Sequence, residues 1–270
     1  MELQELMTRI HLPEEAQKVA EKYMLSEEEY RNKKELFYRD TRGFLEEWKT
    51  SEDHLQWILA FYLKLVLEVH GEYQKQGISE KIFDDTFYDI TIWCEECYRK
   101  YGSYGLNEAG WIAFSIKMKL FRLGRLQFEP MLLSEDMVGK TGILKAGTSV
   151  LNVHIPAGEK LDIEECKKSF EQAEAFFGNT YEAYVCDSWL LAPALKELLP
   201  HTSTIVRFQD MFEVVKVHYR FPQAEQRIFQ DIREDKENYP EKTVLQKKAK
   251  QYILSGKDIG IGIGVRFRIS

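Results

Sequence analysis

Two residues near the middle of the chain carry side chains suited to moving a proton at neutral pH: Glu129 in "GRLQFEPML" and His154 in "SVLNVHIPAGEKLD". An imidazole titrates near neutrality, and a carboxyl in water-poor surroundings is lifted towards the same range. His154 stands at a strand end, just before Pro156 and Gly158, and Glu129 closes the first strand of a sheet. Together they make candidate groups for general acid/base catalysis. Each also has a plain structural reading: a histidine hydrogen-bonded at a strand end, and a glutamate paired with Arg122 or Arg125. "VCDSWLL" offers a different chemistry, a hydrolase using Cys186 with His154, or using Ser188. The glycines of a G-x-S-x-G nucleophile elbow are missing around Ser188, which argues against the serine version.

These residues are positioned by an abrupt change of period. From Pro13 to about Leu123 apolar residues recur at three and four, the helical spacing. Ser26 with Glu29 reads as a capping box, Leu36, Phe37, Phe44, Leu45 and Trp48 as a buried face, and Gly43 as a break. Ser51 introduces a helix that is apolar from Trp57 to Val69 and stops at Gly77. Ser79 opens the next, with Arg99 and Lys100 in its last turn as the helix dipole favours, and Asn107 caps "EAGWIAFSIKMKLFRL".

After Leu123 the period becomes two. Leu126 and Phe128 alternate with Gln127 and Glu129, and a second strand runs through Leu151 to Ile155. Asp162 caps a helix whose apolar row is Ile163, Cys166, Phe170, Ala173 and Phe177, ending at Gly178. Then come "AYVCDSWLL" as a strand, "APALKELLP" as a short helix, "FEVVKVHYRF" as a strand, helices from Pro222 and Glu241, and "IGIGIGVRFRIS" as a closing strand. The expected organisation is α+β: a helical domain over 1–120, then a mixed α/β domain over 121–270 with a central sheet. "GIGIGV" is too near the end of the sequence to introduce a dinucleotide-binding helix. Its glycines instead bare one strand face to something close, a neighbouring backbone or a thin ligand such as a pantetheine arm.

Composition narrows the classes. The 270 residues suffice for two modest cores, and 44% hydrophobic with 30% charged residues is ordinary for a folded soluble chain. A net charge of −7 without a basic stripe argues against nucleic acid, and no apolar run reaches a membrane span or a secretory leader, so the expected setting is cytoplasmic. Cys94, Cys97, Cys166 and Cys186 read as reduced core thiols; "CEEC" has no second ligand pair for zinc, so no metal is expected. Oligomeric state is left open.

At "KLFRLGRLQFE", "VLNVHIPAGEKL", "SFEQAEAFF" and "VCDSWLL" the chain resembles a bacterial family of acyltransferase-domain proteins, in which a helical N-acyltransferase N-terminal domain precedes a GNAT-like C-terminal domain. The resemblance implies a GNAT-like, mainly antiparallel sheet, an acyl-CoA donor substrate and an amine acceptor. On that footing Glu129 and His154 are the expected acid/base groups, with Arg122, Arg125, Ser188 and Trp189 lining the cleft. Ile155, Ala157 and Gly158 fall where such a fold sets the donor's diphosphate against helix amides. Yet Gly158 is the loop's one glycine, and Glu159, Asp162, Glu164 and Glu165 bring negative charge to that place. The alternative expectation is therefore a non-catalytic module that binds a small molecule or a protein on the same fold.

Overall fold

The structure, a computed structural model, describes residues 1–268. The chain divides into two compact units: Met1–Leu123 with Pro156–Gly158, and Gly124–Ile155 with Glu159 onward.

The first unit holds helices α1 (Leu3–Arg9), α2 (Glu14–Lys22), α3 (Glu27–Arg39), α4 (Thr41–Trp48), α5 (His54–Lys75), α6 (Glu80–Tyr101) and α7 (Ala109–Ile116), then the short strand β1 (Phe121–Leu123). Their boundaries follow local chemistry. Ser26 and Glu29 form the reciprocal capping box of α3, Ser79 caps α6, and Gly77 and Gly102 take the left-handed backbone that closes α5 and α6. The break expected at Gly43 falls at Asp40, whose carboxylate accepts from the Gly43 N–H and starts α4. Asn107 does not cap α7, which begins at Ala109 after Glu108 with no side-chain cap. The core is aromatic: Phe44 lies 5.5 Å from Phe37 and 5.0 Å from Phe61 between ring centres.

The second unit has strands β2 (Leu126–Leu132), β3 (Met137–Val138), β4 (Ile143–Leu144), β5 (Ser149–His154), β6 (Ala183–Ser188), β7 (Glu213–His218) and β8 (Ile261–Phe267). Its helices are α8 (Ile163–Phe177), α9 (Ala194–Leu198), α10 (Thr204–Gln209), α11 (Gln223–Phe229) and α12 (Val244–Leu254). Within this unit the strand order is β2-β5-β6-β8-β7. Only β5 and β6 pair in parallel, so the sheet is mainly antiparallel as expected. The closing strand was expected to reach Ser270; Ile269 and Ser270 lie outside the described residues. Residues Trp189–Leu191, expected as strand, form a 3₁₀ turn, and α10 and the β3–β4 ribbon are additions.

Strand alternation gives the sheet two unlike faces. One carries Phe128, Leu151, Val153, Tyr184 and Cys186, and α8 lies on it, with Phe170 at 5.8 Å from Phe128 and 4.7 Å from Tyr184. The bare glycines of β8 are on this face. A Cβ on Gly262 would stand 2.2 Å from the Leu191 carbonyl oxygen, and one on Gly264 would meet Leu191 and Phe212, so neighbouring protein fills the space. On the other face Val150, Ala183, Val185 and Val265 pack with Leu133 and Leu144 at one end. The other end of that face is polar. Among the described residues no helix is long and apolar enough to cross a membrane.

Candidate active site

Hydrogen-bond register places the polar residues of that second face. Directly opposed residues share a face, so Gln127 across from His154 and Glu129 across from Asn152 all project the same way. Asn152 pairs with Val185, so His154 stands level with Asp187; Asp187 pairs with Ile263, and Ile263 with Lys216 on its far side. Gln127, His154, Asp187, Ile263 and Lys216 thus form one row across the whole sheet, with Glu129 and Asn152 in the row beside it. The strand directions put the carboxyl ends of β5, β6 and β7 together here, the end at which sheets that carry parallel strands leave a crevice.

Glu129 and His154 meet. His154 Nε2 is 3.1 Å from Glu129 Oε2, and Asn152 Nδ2 donates to the same oxygen at 3.2 Å. An imidazole and an amide thus both reach the Glu129 carboxylate. The side chains of His154 and Glu129 keep 24% and 21% of their surface open. Beside them the pairing of β5 with β6 runs from Val150–Ala183 to Asn152–Val185 and stops, although the strands continue to His154 and Ser188.

The other expected residues make contacts within their own units. Arg125 is 6% exposed; its Nε donates to the Lys160 carbonyl and its Nη2 to the Glu159 carbonyl, both at 2.9 Å, so it holds the loop between β5 and α8. Ser188 is buried, and its Oγ accepts from the Leu190 N–H to start the 3₁₀ turn. Trp189 packs beside the Ala192, Leu195 and Ile259 cluster, with its backbone N–H donating to Gln223 Oε1. In the first unit, the Arg122 N–H donates to Thr86 Oγ1 and its guanidinium lies over the Tyr88 ring. Ile155 belongs to the second unit, Ala157 and Gly158 to the first; Gly158 takes φ +90°, the left-handed region a glycine accepts freely. At the head of α8, Asp162 Oδ1 accepts from the Glu164 and Glu165 N–H groups, so those helix amides are already occupied.

Cys186 cannot serve His154. It sits opposite Gly264 on the α8 face, fully buried, and desolvation pushes its thiol far above the ordinary range. The serine hydrolase fares no better with Ser188 turned into its own turn.

Two residues of the row were not anticipated. Gln127 is 1% exposed, and its Nε2 finds no hydrogen-bond partner among the described residues. Asp187 is reached by solvent, yet desolvation raises its carboxyl above the usual range, with His218 and then His154 opposing the rise. A charged residue inside the apolar run "AYVCDSWLL" was the available signal for it. Among the described residues no three His, Cys, Asp or Glu side chains gather closely enough to hold a metal ion.

Comparison with known proteins decides the family. Residues 120–266 match the GNAT-like C-terminal domain, and residues 1–118 match the N-acyltransferase N-terminal domain. The chain belongs to the GNAT-like C-terminal domain family. The fold of the GNAT-like protein is also that of solved acyltransferases. One, in complex with decanoyl-CoA and teicoplanin, is 19% identical with a TM-score of 0.79 over 98% of this chain and 87% of that one. Another, in complex with CoA and 10C-teicoplanin, is 19% identical with a TM-score of 0.78 over the same shares. A third, in complex with decanoyl-CoA, is 19% identical with a TM-score of 0.69 over the full length of both chains. No curated protein matches the GNAT-like chain.

Proposed function

We propose that this protein transfers an acyl group from an acyl-CoA thioester to an amine, with Glu129 and His154 as the acid/base pair. The observation that carries this reading is the 3.1 Å contact between His154 and Glu129, set where β5 and β6 part. Parted parallel strands leave edge N–H and C=O groups that a slim, amide-bearing thioester arm can satisfy by adding to the strand. The solved acyltransferases of the same fold hold CoA or decanoyl-CoA, which supports a donor of that class. Ile155, Ala157 and Gly158 are the segment assigned to the donor.

The amine nitrogen attacks the thioester carbonyl carbon; a C–N bond forms and the C–S bond breaks. The proton lost by nitrogen passes to the His154–Glu129 pair, and the departing thiolate takes up a proton to become CoA thiol. Asn152, donating to Glu129, keeps the carboxylate turned towards the imidazole. Arg125, Ser188 and Trp189 act by fixing the loop after β5 and the end of β6, and Arg122 by tying β1 to α6.

A second reading is a binding module that takes no CoA. It is favoured by one observation: Asp162 occupies the first amides of α8 and adds charge where a diphosphate would lie. Thermal unfolding with CoA, acetyl-CoA and longer acyl-CoAs separates the two. Specific binding raises stability by mass action, about 2.7 kcal/mol at a hundredfold excess over Kd. A saturable rise, with H154A and E129Q lowering turnover by roughly 10²–10⁴-fold at an unchanged melting temperature, is the expected result. No rise at millimolar acyl-CoA moves the assignment to the binding module, and full turnover in both variants removes the two residues from the chemistry.

A further inference from the structure

We infer that Asp187 is the acceptor-binding residue of this site, receiving the ammonium of a primary amine that arrives as a cation. The inference rests on the acyl-transfer reading and specifies its acceptor.

Asp187 projects from β6 on the same face as Asn152 and His154, at the level of His154, immediately beyond the last pair that β5 makes with β6. Its floor is apolar: Val185, two residues before it, and Ile263, opposite it, are both buried. Among the described residues its carboxylate makes no hydrogen bond and no ion pair. The nearest cation of its row is spent elsewhere, because Lys216 Nζ donates to Glu135 at 2.7 Å. The Asp187 side chain is open to solvent, so its carboxylate is accessible to a ligand. His154 and His218 lie close enough to act on it electrostatically, but no bond from either ring reaches it. The same row holds a second unfilled place, the buried Gln127 Nε2 across from His154. An acidic group and an amide donor, both unpartnered and flanking one imidazole, fit a ligand that brings a cation and an acceptor oxygen to His154.

The proton balance is simple. The amine enters as R–NH₃⁺ against Asp187 and gives up one proton to solvent. The neutral nitrogen attacks, C–N forms as C–S breaks, and the second proton goes to His154–Glu129, while the thiolate leaves and is protonated. The overall change is ammonium plus thioester to amide, thiol and one released proton.

The test compares two nucleophiles at neutral pH, cadaverine, which is cationic, and hydroxylamine, which is uncharged, by CoA release from acetyl-CoA or a longer acyl-CoA. In D187N the ratio of kcat/KM for cadaverine to that for hydroxylamine should fall at least about tenfold, the effect of about 1.4 kcal/mol. The loss should appear in KM, D187E should recover most of it, and the melting temperature of D187N should equal or exceed that of the parent. Cadaverine should also raise the melting temperature of the parent protein and not of D187N. An unchanged ratio, in protein that still responds to acyl-CoA, overturns the role of Asp187 alone. Absence of both CoA release and an acyl-CoA thermal shift in the parent overturns the acyl-transfer reading, and this inference with it.

Discussion

Gln127 shows how a single side chain separates stability from use. A buried amide whose N–H₂ meets no acceptor costs about 1–3 kcal/mol relative to an apolar group of the same shape. Gln127→Met should therefore raise the melting temperature, read by calorimetry, while lowering acyl transfer if the amide meets the substrate. A lower melting temperature would mean that an ordered water already satisfies the amide. Arg125 shows the converse case: an arginine that the sequence places on the cleft side puts two of its N–H groups on backbone carbonyls of one loop. Cys186 and His154 are the pair most easily misjoined on paper. Strand alternation puts them on opposite faces of the sheet, and no local feature of either residue says so.

At the level of elements, glycine has opposite meanings in strand and helix. In β8 a methyl group on Gly262 would collide with the Leu191 carbonyl oxygen at 2.2 Å. Gly262→Ala should cost about 3 kcal/mol or more, because backbone on the far side cannot move cheaply. Gly71 lies inside α5 with nothing within 4 Å of its added Cβ. Gly71→Ala should stabilise by about 1 kcal/mol, the difference in helix propensity. Urea denaturation of both variants checks the pair, and equal effects would contradict the packing argument. The elements themselves were largely legible, since caps such as Ser26, Ser79 and Asp162 act within one turn of chain. The errors fall where local signals compete: Asp40 captures the cap that Gly43 seemed to mark, and Trp189–Leu191 leave the strand because Ser188 offers a closer acceptor.

For the molecule as a whole, acid stability has an identifiable contributor. The Arg9 guanidinium, with His70 second, holds the Glu80 carboxyl down at about 2. Arg9 Nη2 approaches Glu80 at 2.5 Å and its Nε donates to Asp84 at 2.8 Å, joining α1 to α6. A carboxyl lowered by folding stabilises above its ordinary range, and that contribution is lost as pH falls through about 2. Glu80 is half exposed, so the pair is worth about 1 kcal/mol or less after screening. Glu80→Gln should lower the melting temperature slightly at neutral pH, and the two curves should converge below about pH 2. A difference that persists there would point to lost packing instead of lost charge.

The sequence by itself determined the helical period before Leu123, the period of two after it, the buried state of the four cysteines and the candidacy of Glu129 and His154, because each depends on side-chain chemistry or on neighbours within a turn. Tertiary structure alone decided which of these residues meet. The contact between Glu129 and His154 spans 25 positions and depends on β2 and β5 pairing in one register, where a slip by one residue would turn either side chain to the α8 face. The pairing of β5 with β6 in turn brought Asp187 level with His154, since pairing between distant strands is fixed by the packing of both faces at once.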